Sequence, residues 1–231
     1  MYKLSQNLYL LIIKFLRIIF FYDVNKLKYY DHKSLRFHLF SLLSVYNVKE
    51  MIVLNYPWWT YNSVNFLSEY LNGKKNLYAF EYGPGASSFW LKQFCTNIKF
   101  VEHDESFFKF FKNIIKYEKK IDGKLVLPTK LKNKKFVSRK KGWENYSFEN
   151  YVKSISQEGR KFDIIVIDGR CRDDAFEYSK NFLNKNGIII FDNSKRKRYL
   201  SIFNSKMRFK RFYGTVPTLP FKDETTIFFN D

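Results

Sequence analysis

The chain has 231 residues, of which 41 are Lys or Arg and 22 are Asp or Glu, so its formal net charge is +19. A hydrophobic content of 45% excludes a disordered polycation or a collagen-like chain, and the length suits one domain with an extension. The only cysteines, Cys95 and Cys171, lie 76 positions apart, which excludes a zinc ribbon and a disulfide scaffold. We therefore expect a folded cytoplasmic protein.

The excess of positive charge has two explanations. Of the 41 cations 31 are Lys, and Phe, Tyr and Asn are also abundant, as an AT-rich coding sequence would produce. The alternative is an anionic partner: nucleic acid, an acidic glycan or an anionic membrane face. Net charge alone does not choose among these partners.

The first apolar segment, Leu8 to Tyr22, is 15 residues long and falls short of the roughly 20 needed to span a bilayer. No small-residue cleavage site follows it, so a signal peptide is not expected. Lys14 and Arg17 share one helical face. Five apolar residues line another face: Leu8, Leu11, Ile12, Phe15 and Ile19. The segment is either a helix packed on its own domain or a peripheral contact with the inner membrane face.

Two further helices are predicted before the first strand. Ser34 to Tyr46 repeats the apolar spacing of three and four residues, and Tyr61 to Leu71 does so after a cap at Thr60 or Asn62. The pattern changes near Pro57. We predict a helical extension over residues 1–54 and a second domain over residues 55–231.

From residue 77 onward, short apolar runs alternate with helical patterns, which is typical of a parallel α/β sheet. The predicted strands are Leu77–Tyr82, Lys99–Glu102, Lys124–Leu127, Phe162–Asp168, Gly187–Asp192, Phe209–Tyr213 and Thr225–Asn230. The predicted helices are Ser87–Phe94, Asp104–Tyr117, Cys171–Leu183 and Lys195–Asn204. A Gly- and Pro-containing loop joins the last two strands, so we expect an antiparallel hairpin at the sheet edge.

The segment from Glu81 to Ser88 stands between the first predicted strand and a helix. Gly83 and Gly85 permit a sharp turn and let a ligand approach the backbone. Glu102 follows 17 residues after Gly85, at the end of the next strand, where nucleotide-binding units place an acid for the ribose hydroxyls. This order predicts an adenosine-containing ligand; the alternative is a structural turn with a salt-bridging Glu102.

These residues resemble motifs I and II of the class I S-adenosylmethionine-dependent methyltransferases, which have a Rossmann-like seven-stranded, mostly parallel sheet with a C-terminal antiparallel hairpin. Residues 55–230 are most similar to uncharacterised bacterial methyltransferases associated with polysaccharide gene sets. The matching segments are Pro57–Trp59, Ile167–Arg172, Asp192–Tyr199, Tyr213–Pro217 and Thr225–Phe228. The first fifty residues lie outside the resemblance.

The resemblance implies a binding site for S-adenosylmethionine. Glu81 belongs to its first motif, while the backbone at Gly83 and Gly85 and the hydroxyl of Ser87 or Ser88 would hold the methionine moiety. Glu102 would bind the ribose, and His103 and Val126 would lie near the adenine. Ser88 replaces the third glycine of the dehydrogenase motif, which favours the methyl donor over a nicotinamide cofactor.

Asp168 and Asp192 end two neighbouring strands, so both carboxylates should meet at one rim of the sheet. Either could be a catalytic base for a substrate hydroxyl, or each could have only a structural, capping role. With Asn193 they also resemble the cation site of divalent-metal-dependent O-methyltransferases, which would bind Mg²⁺. All three alternatives, a catalytic base, a structural role and a Mg²⁺ site, stay open at this point.

Four arginines flank these acids: Arg170, Arg172, Arg196 and Arg198. They could bind a carboxylate or phosphate of the acceptor, as planar guanidinium groups do, or form a solvated basic surface. Trp59 could contact the acceptor beside Trp58, or it could belong to the core.

The function predicted from these features is S-adenosylmethionine-dependent O-methylation of a saccharide or another polar small molecule. One alternative is a nucleic-acid (RNA) methyltransferase, but the net charge of +19 is poor evidence for it because the Lys residues are dispersed along the chain. The other is a non-catalytic nucleotide-binding module that docks on a membrane or a partner through its first helix.

Overall fold

A computed structural model describes residues 2–44, 47–131 and 135–231, with side chains from residue 8 onward. The helices are α1 (Tyr2–Ile19), α2 (Val24–Leu27), α3 (Leu35–Ser41), α4 (Val48–Leu54), α5 (Tyr61–Tyr70), α6 (Ala86–Leu91), α7 (Glu105–Ile114), α8 (Glu149–Lys153) and α9 (Arg172–Ser179). Short 3₁₀ helices cover Leu42–Ser44, Ser154–Glu158, Lys180–Phe182 and Lys197–Asn204.

The strands are β1 (Leu77–Tyr82), β2 (Cys95–Glu102), β3 (Ile121–Leu125), β4 (Thr129–Lys130), β5 (Tyr146–Ser147), β6 (Phe162–Ile167), β7 (Leu183–Asp192), β8 (Arg208–Thr215) and β9 (Lys222–Phe229). Seven of the described strands form one sheet in the order β3-β2-β1-β6-β7-β9-β8. Only β9 is antiparallel to its neighbours in this sheet, β7 and β8. The predicted Rossmann-like α/β sheet with a terminal hairpin is confirmed.

Side-chain caps fix where several helices begin. Ser34 Oγ accepts the Phe37 N–H at 3.0 Å, and α5 begins at Thr60, one of its two predicted caps. Residues 45 and 46, the end of the second predicted helix, lie outside the described residues. None of the described helices is long and apolar enough to cross a membrane.

The third strand begins at Ile121, before its predicted start at Lys124. The prediction differed because Asp122-Gly123 has the sequence of a turn. In the structure Gly123 pairs with Phe100 of β2 inside the sheet. A Cβ atom at Gly123 would lie 2.3 Å from the Phe100 carbonyl oxygen, so glycine permits the close approach of the two strands. The glycine is therefore part of the strand.

Two hydrophobic clusters cover the two faces of the sheet. One joins Ala79, Ile98 and Ile164 to residues of the N-terminal helices, among them Phe37 and Met51. The other packs Phe80, Tyr82 and Ile165 against Phe148, Tyr151 and Phe176. Part of the N-terminal segment thus shares a core with the sheet, and the boundary between residues 54 and 55 stays a prediction.

The strand register brings the chemically important segments to one edge of the sheet. Tyr82 pairs with both Val101 and Ile167, and Ile167 pairs with Phe191. The residues that follow β1, β2, β6 and β7 therefore meet at their shared carboxyl ends. Asp192 pairs with Thr225, so the loop 216–221 between β8 and β9 also lies at this edge.

Two glycines permit the backbone after β1 to contact the backbone after β6. Gly83 has φ +85°, and a Cβ atom there would lie 3.0 Å from the Gly169 Cα. A Cβ atom at Gly169 would lie 1.9 Å from the hydroxyl of Tyr151, which is fully buried. The backbone position at this edge of the sheet thus depends on the close packing of Gly169 on Tyr151.

Gly169→Ala should lower the free energy of unfolding by about 1–3 kcal/mol, because the new methyl overlaps the Tyr151 hydroxyl. The measurement is urea denaturation. Gly214→Ala is the matched control, since the nearest atom to its Cβ would be 3.8 Å away. Removing the hydroxyl in Gly169→Ala/Tyr151→Phe should restore most of the loss; no recovery would contradict this explanation.

Candidate functional site

The turn after β1 contains a buried carboxyl group. Glu81 is 0% exposed, and its Oε2 accepts a hydrogen bond from Ser88 Oγ, which also accepts the Gly85 N–H at 3.4 Å. Among the described residues, Glu81 Oε1 has no hydrogen-bond partner. A Cβ atom at Gly85 would meet nothing within 4 Å, so open space lies beside this turn. Ser87, also predicted here, is 8% exposed.

Burial raises the pKa of Glu81 to about 7, while the hydrogen bond from Ser88 offsets part of this rise. A buried carboxyl group with one unpartnered oxygen is costly to ionise. A cationic or hydrogen-bond-donating ligand group would satisfy this oxygen. The buried site therefore fits the amino group of a methionine moiety, which the sequence resemblance placed here.

The end of β2 presents the second predicted acid. Glu102 is 4% exposed, and its Oε1 accepts the backbone N–H groups of His103 at 2.6 Å and Asp104 at 2.8 Å. His103 Nδ1 lies 2.6 Å from the same oxygen, without the alignment of a hydrogen bond. Arg170 Nε donates to His103 Nε2 at 3.0 Å, so the ends of β2 and β6 are connected across β1.

An open cavity of about 580 Å³ lies beside His103. Its apolar lining consists of Leu127, Pro128, Trp143 and Tyr146, and the Trp143 and His103 ring centroids are 5.4 Å apart. Val126 is partly buried, and its N–H donates to the Glu102 carbonyl at 2.8 Å. The cavity next to Glu102 thus has aromatic side chains in its lining, against which a nucleobase could pack.

Sequence reasoning missed Trp143. It lies far along the chain from Glu102, in a stretch of lysines whose path depends on the short β4–β5 pair. A single large aromatic residue within this polar stretch was the available signal.

At the rim formed by the ends of β6 and β7, Arg172 is 7% exposed and its guanidinium joins the two strand ends. Its Nη2 donates to the Asp168 carbonyl at 2.6 Å and to Asp168 Oδ1 at 2.5 Å. Its Nη1 donates to the Asp192 carbonyl at 2.6 Å and to Asn193 Oδ1 at 3.1 Å. Its Nε donates to the Gly169 carbonyl at 3.2 Å. All three nitrogens are engaged, so Arg172 does not reach toward an acceptor as predicted.

The same contacts bear on the predicted Mg²⁺ site. The three predicted ligands, Asp168, Asp192 and Asn193, all face Arg172, whose Nη1 is also 4.0 Å from Asp192 Oδ2. Within the described ranges, no group of three or more His, Cys, Asp or Glu residues could hold a metal ion. The guanidinium supplies the positive charge between these oxygens, and the residues present do not fit Mg²⁺.

The two acids at this rim differ in exposure. Asp192 is 4% exposed and accepts a hydrogen bond from Thr225 Oγ1 at 3.0 Å, whereas the Asp168 side chain is 34% exposed. Burial and the neighbouring Asp168 raise the pKa of Asp192 to about 8, and Arg172 offsets part of this rise. Asp192 is therefore a buried structural partner, and Asp168 is the acid that solvent can reach.

Other cations surround Asp168. Arg170 and Arg196 are half-buried, and their charges, with that of Arg172, favour the ionised form of Asp168 against the effect of burial. Burial and the nearby arginines, Arg170 first among them, lower the pKa of the Lys140 ammonium. Arg198 Nε is buried and has no hydrogen-bond partner among the described residues. The positive charges at this rim therefore exceed the negative charges of Asp168 and Asp192.

The predicted acceptor contact at Trp59 needs a correction. Trp59 is 1% exposed and packs edge-to-face on Trp90, with ring centroids 5.7 Å apart. It therefore belongs to the hydrophobic core. Its neighbour Trp58 is half-buried, and its Nε1 donates to Thr218 Oγ1 at 2.8 Å.

The fold has solved counterparts. An O-methyltransferase from Bacillus cereus in complex with S-adenosylhomocysteine is 14% identical, with 80% of this chain and 90% of that chain covered and a TM-score of 0.55. A caffeoyl-CoA O-methyltransferase from Staphylococcus aureus, so described provisionally, is 12% identical over 74% and 82% of the two chains (TM-score 0.47). The N-methyltransferase NodS from Bradyrhizobium japonicum is 12% identical over 73% and 94% (TM-score 0.46).

At these identities the likeness shows the fold and not the substrate. No protein-family model matches the sequence, and no curated protein is significantly similar to it. The chain has the Rossmann-like fold of S-adenosylmethionine-dependent methyltransferases. The argument for a particular activity therefore rests on the residues of this chain.

The Glu81→Gln variant should gain stability relative to the wild type as pH rises, so the difference between their free energies of unfolding should grow. The folded state holds the Glu81 proton up to a pKa of about 7, above the ordinary value of 4.5, so wild-type stability falls as pH rises from 4.5 through 7. Between pH about 5 and about 8.5, the stability difference between variant and wild type should grow by on the order of 3 kcal/mol. Urea denaturation measures it; Glu105→Gln, on the exposed surface of α7, is the control, and a pH-independent difference would refute the buried-acid assignment.

Arg172→Met should lower the free energy of unfolding by about 3 kcal/mol or more at pH about 7.5, because it leaves Asp168 and Asp192 without their cation. The loss should shrink as pH falls, because burial raises the pKa of both carboxyl groups and their protonation removes the negative charge that Arg172 balances. Wild-type thermal melting should be the same in EDTA and in MgCl₂. A higher melting temperature with Mg²⁺ would show that the oxygens bind a metal despite Arg172.

Proposed function

We propose that this protein is an S-adenosylmethionine-dependent methyltransferase that methylates an oxygen of a saccharide or another polar small molecule with an anionic group. One arrangement supports the proposal above others: the buried Glu81, the turn at Gly83 and Gly85, and Glu102 lie side by side at one sheet edge. The shared fold of the O-methyltransferase from Bacillus cereus supports it as well.

Each part of the methyl donor has a matching part of this site. The backbone at Gly83 and Gly85 would leave room for the methionine moiety, and Glu81 Oε1 would accept a hydrogen bond from its amino group. Glu102, held by two backbone N–H groups, would bind the ribose hydroxyls. The cavity lined by Trp143 would take the adenine.

When bound, S-adenosylmethionine supplies a methyl group on a positively charged sulfur. The residues of the chain then need to align an acceptor oxygen with that methyl group and to remove the proton of the acceptor. Asp168 would accept the hydroxyl proton as the acceptor oxygen takes the methyl group, and S-adenosylhomocysteine would be the other product. Asp168 suits this role because its side chain is accessible at the rim, unlike that of Asp192.

The anionic group of the acceptor follows from the charges around Asp168. Arg196 and Arg170 are half-buried at the rim, Lys140 lies close to both, and Arg198 Nε lacks a partner in the described chain. A carboxylate or phosphate would satisfy such donors, and it would relieve the mutual repulsion of the cations.

Calorimetric titration tests the cofactor. S-Adenosylmethionine and S-adenosylhomocysteine should both bind, and Glu102→Gln should weaken binding at least about tenfold because the ribose loses a charged acceptor. Glu69→Gln, at an exposed site on α5 outside this cavity, should bind as the wild type does. Absence of binding of either compound at millimolar concentration would end the methyltransferase proposal.

Formation of S-adenosylhomocysteine with a panel of acceptors tests the substrate class. Saccharides that carry a uronic acid or a phosphate should be methylated in preference to their neutral counterparts, and Arg196→Gln should remove most of that preference. Lys185→Gln, which removes an exposed cation on β7, is the control. Methylation of RNA with none of any saccharide would favour the nucleic-acid alternative.

A further inference from the structure

The first helix differs from an ordinary surface helix because it turns a charged residue inward and exposes large apolar side chains. Arg17 lies on the inner face of α1, where its Nη2 donates to Glu50 Oε1 at 2.5 Å. Ile13 is buried on Leu43, with Tyr9, Leu10 and Leu16 packed around them. The inner face thus contains the ion pair and a small apolar cluster.

The outer face of α1 is apolar. Six large side chains share it, all between 48% and 74% exposed: Leu8, Leu11, Ile12, Phe15, Ile18 and Ile19. At 3.6 residues per turn, these positions fall within an arc of about 120°. Phe20 and Phe21 continue it and are 54% and 89% exposed. We call these eight residues the docking face; a contiguous apolar patch of this kind marks an interaction surface.

Cations border the docking face. Lys14 is exposed on α1 next to Ile18 in the helical projection. The Phe20 ring lies 6.3 Å from that of Phe40, which lies 6.2 Å from Tyr30, and the Arg36 guanidinium covers Tyr30 at 4.7 Å. Residues 1–54 contain eight Lys or Arg and three Asp or Glu, a net charge of +5. Of those three acids, Glu50 is already paired with Arg17.

We infer that the docking face lies in the interface of an anionic lipid bilayer. Its aliphatic and phenyl side chains would enter the headgroup and acyl boundary, while Lys14 and Arg36 would meet lipid phosphates. A second copy of the chain fits less well, because pairing two docking faces would bring their bordering cations together. The helix lies in the interface and does not span the bilayer, in keeping with its length and its two central cations.

The attachment of α1 relates this surface to the candidate site. Leu219 packs against the cluster beneath α1, and Thr218 N donates to Ser41 Oγ at 3.1 Å. Both residues belong to the loop 216–221, which lies at the carboxyl edge of β7 where Asp192 pairs with Thr225. The docking face is therefore carried on the edge of the sheet that holds the acceptor rim.

Co-sedimentation of the full chain with vesicles tests the proposal. Binding should be strong to phosphatidylcholine vesicles that contain phosphatidylserine, weak to phosphatidylcholine alone, and reduced when NaCl rises from about 0.05 to about 0.5 M. Leu11→Ser/Phe15→Ser/Ile18→Ser should lower binding about tenfold or more. The matched control is Tyr117→Ser/Leu200→Ser/Phe209→Ser, which removes three exposed apolar side chains elsewhere.

A site-specific label distinguishes insertion from adsorption. The two natural cysteines are buried, so Phe15→Cys can be labelled with a fluorophore sensitive to polarity. Its emission should shift to the blue on anionic vesicles, whereas a label at Tyr117→Cys should not change. Vesicle binding that survives the triple substitution at residues 11, 15 and 18 would overturn the inference. So would a dimer in sedimentation velocity that this substitution dissociates, with no vesicle binding by the wild type.

Discussion

The guanidinium of Arg172 makes the contacts on which the rim at the ends of β6 and β7 depends. Two carboxyl groups and an amide oxygen converge at the ends of β6 and β7, and such a cluster is stable only with a cation among them. A bound metal ion is one solution; this chain provides the cation from the first turn of α9. Because Arg172 is covalently part of the chain, the strand ends keep their positions without an exchangeable ion.

Much of the sheet could be predicted because its strands are apolar runs that end in recognisable residues. The acids at 81, 102, 168 and 192 follow such runs, and parallel strands bring their carboxyl ends together whatever the intervening loops do. The order β3-β2-β1-β6-β7 of the parallel strands therefore fixes where the site lies. The hairpin was also predictable, since a short loop permits only an antiparallel partner.

The partners of individual side chains could not be predicted in the same way. Arg172 looked like a contact for the acceptor, but the αL conformation at Cys171 (φ +47°) begins α9 directly over the strand ends and directs the arginine inward. The position of Trp143 near Glu102 could not be predicted, because the paths of loops determine it. The amphipathic pattern of α1 was visible, yet periodicity gives two faces and not the direction each one points.

The loop 216–221 touches both α1 and the edge where acceptors would bind, which makes it a shared element of two equilibria. If an acceptor orders this loop, membrane binding and acceptor binding become thermodynamically linked, and each must strengthen the other by the same factor. A soluble acceptor would then raise the affinity of the protein for a bilayer. Residence at the surface would become a readout of acceptor supply, with no second domain needed to sense it.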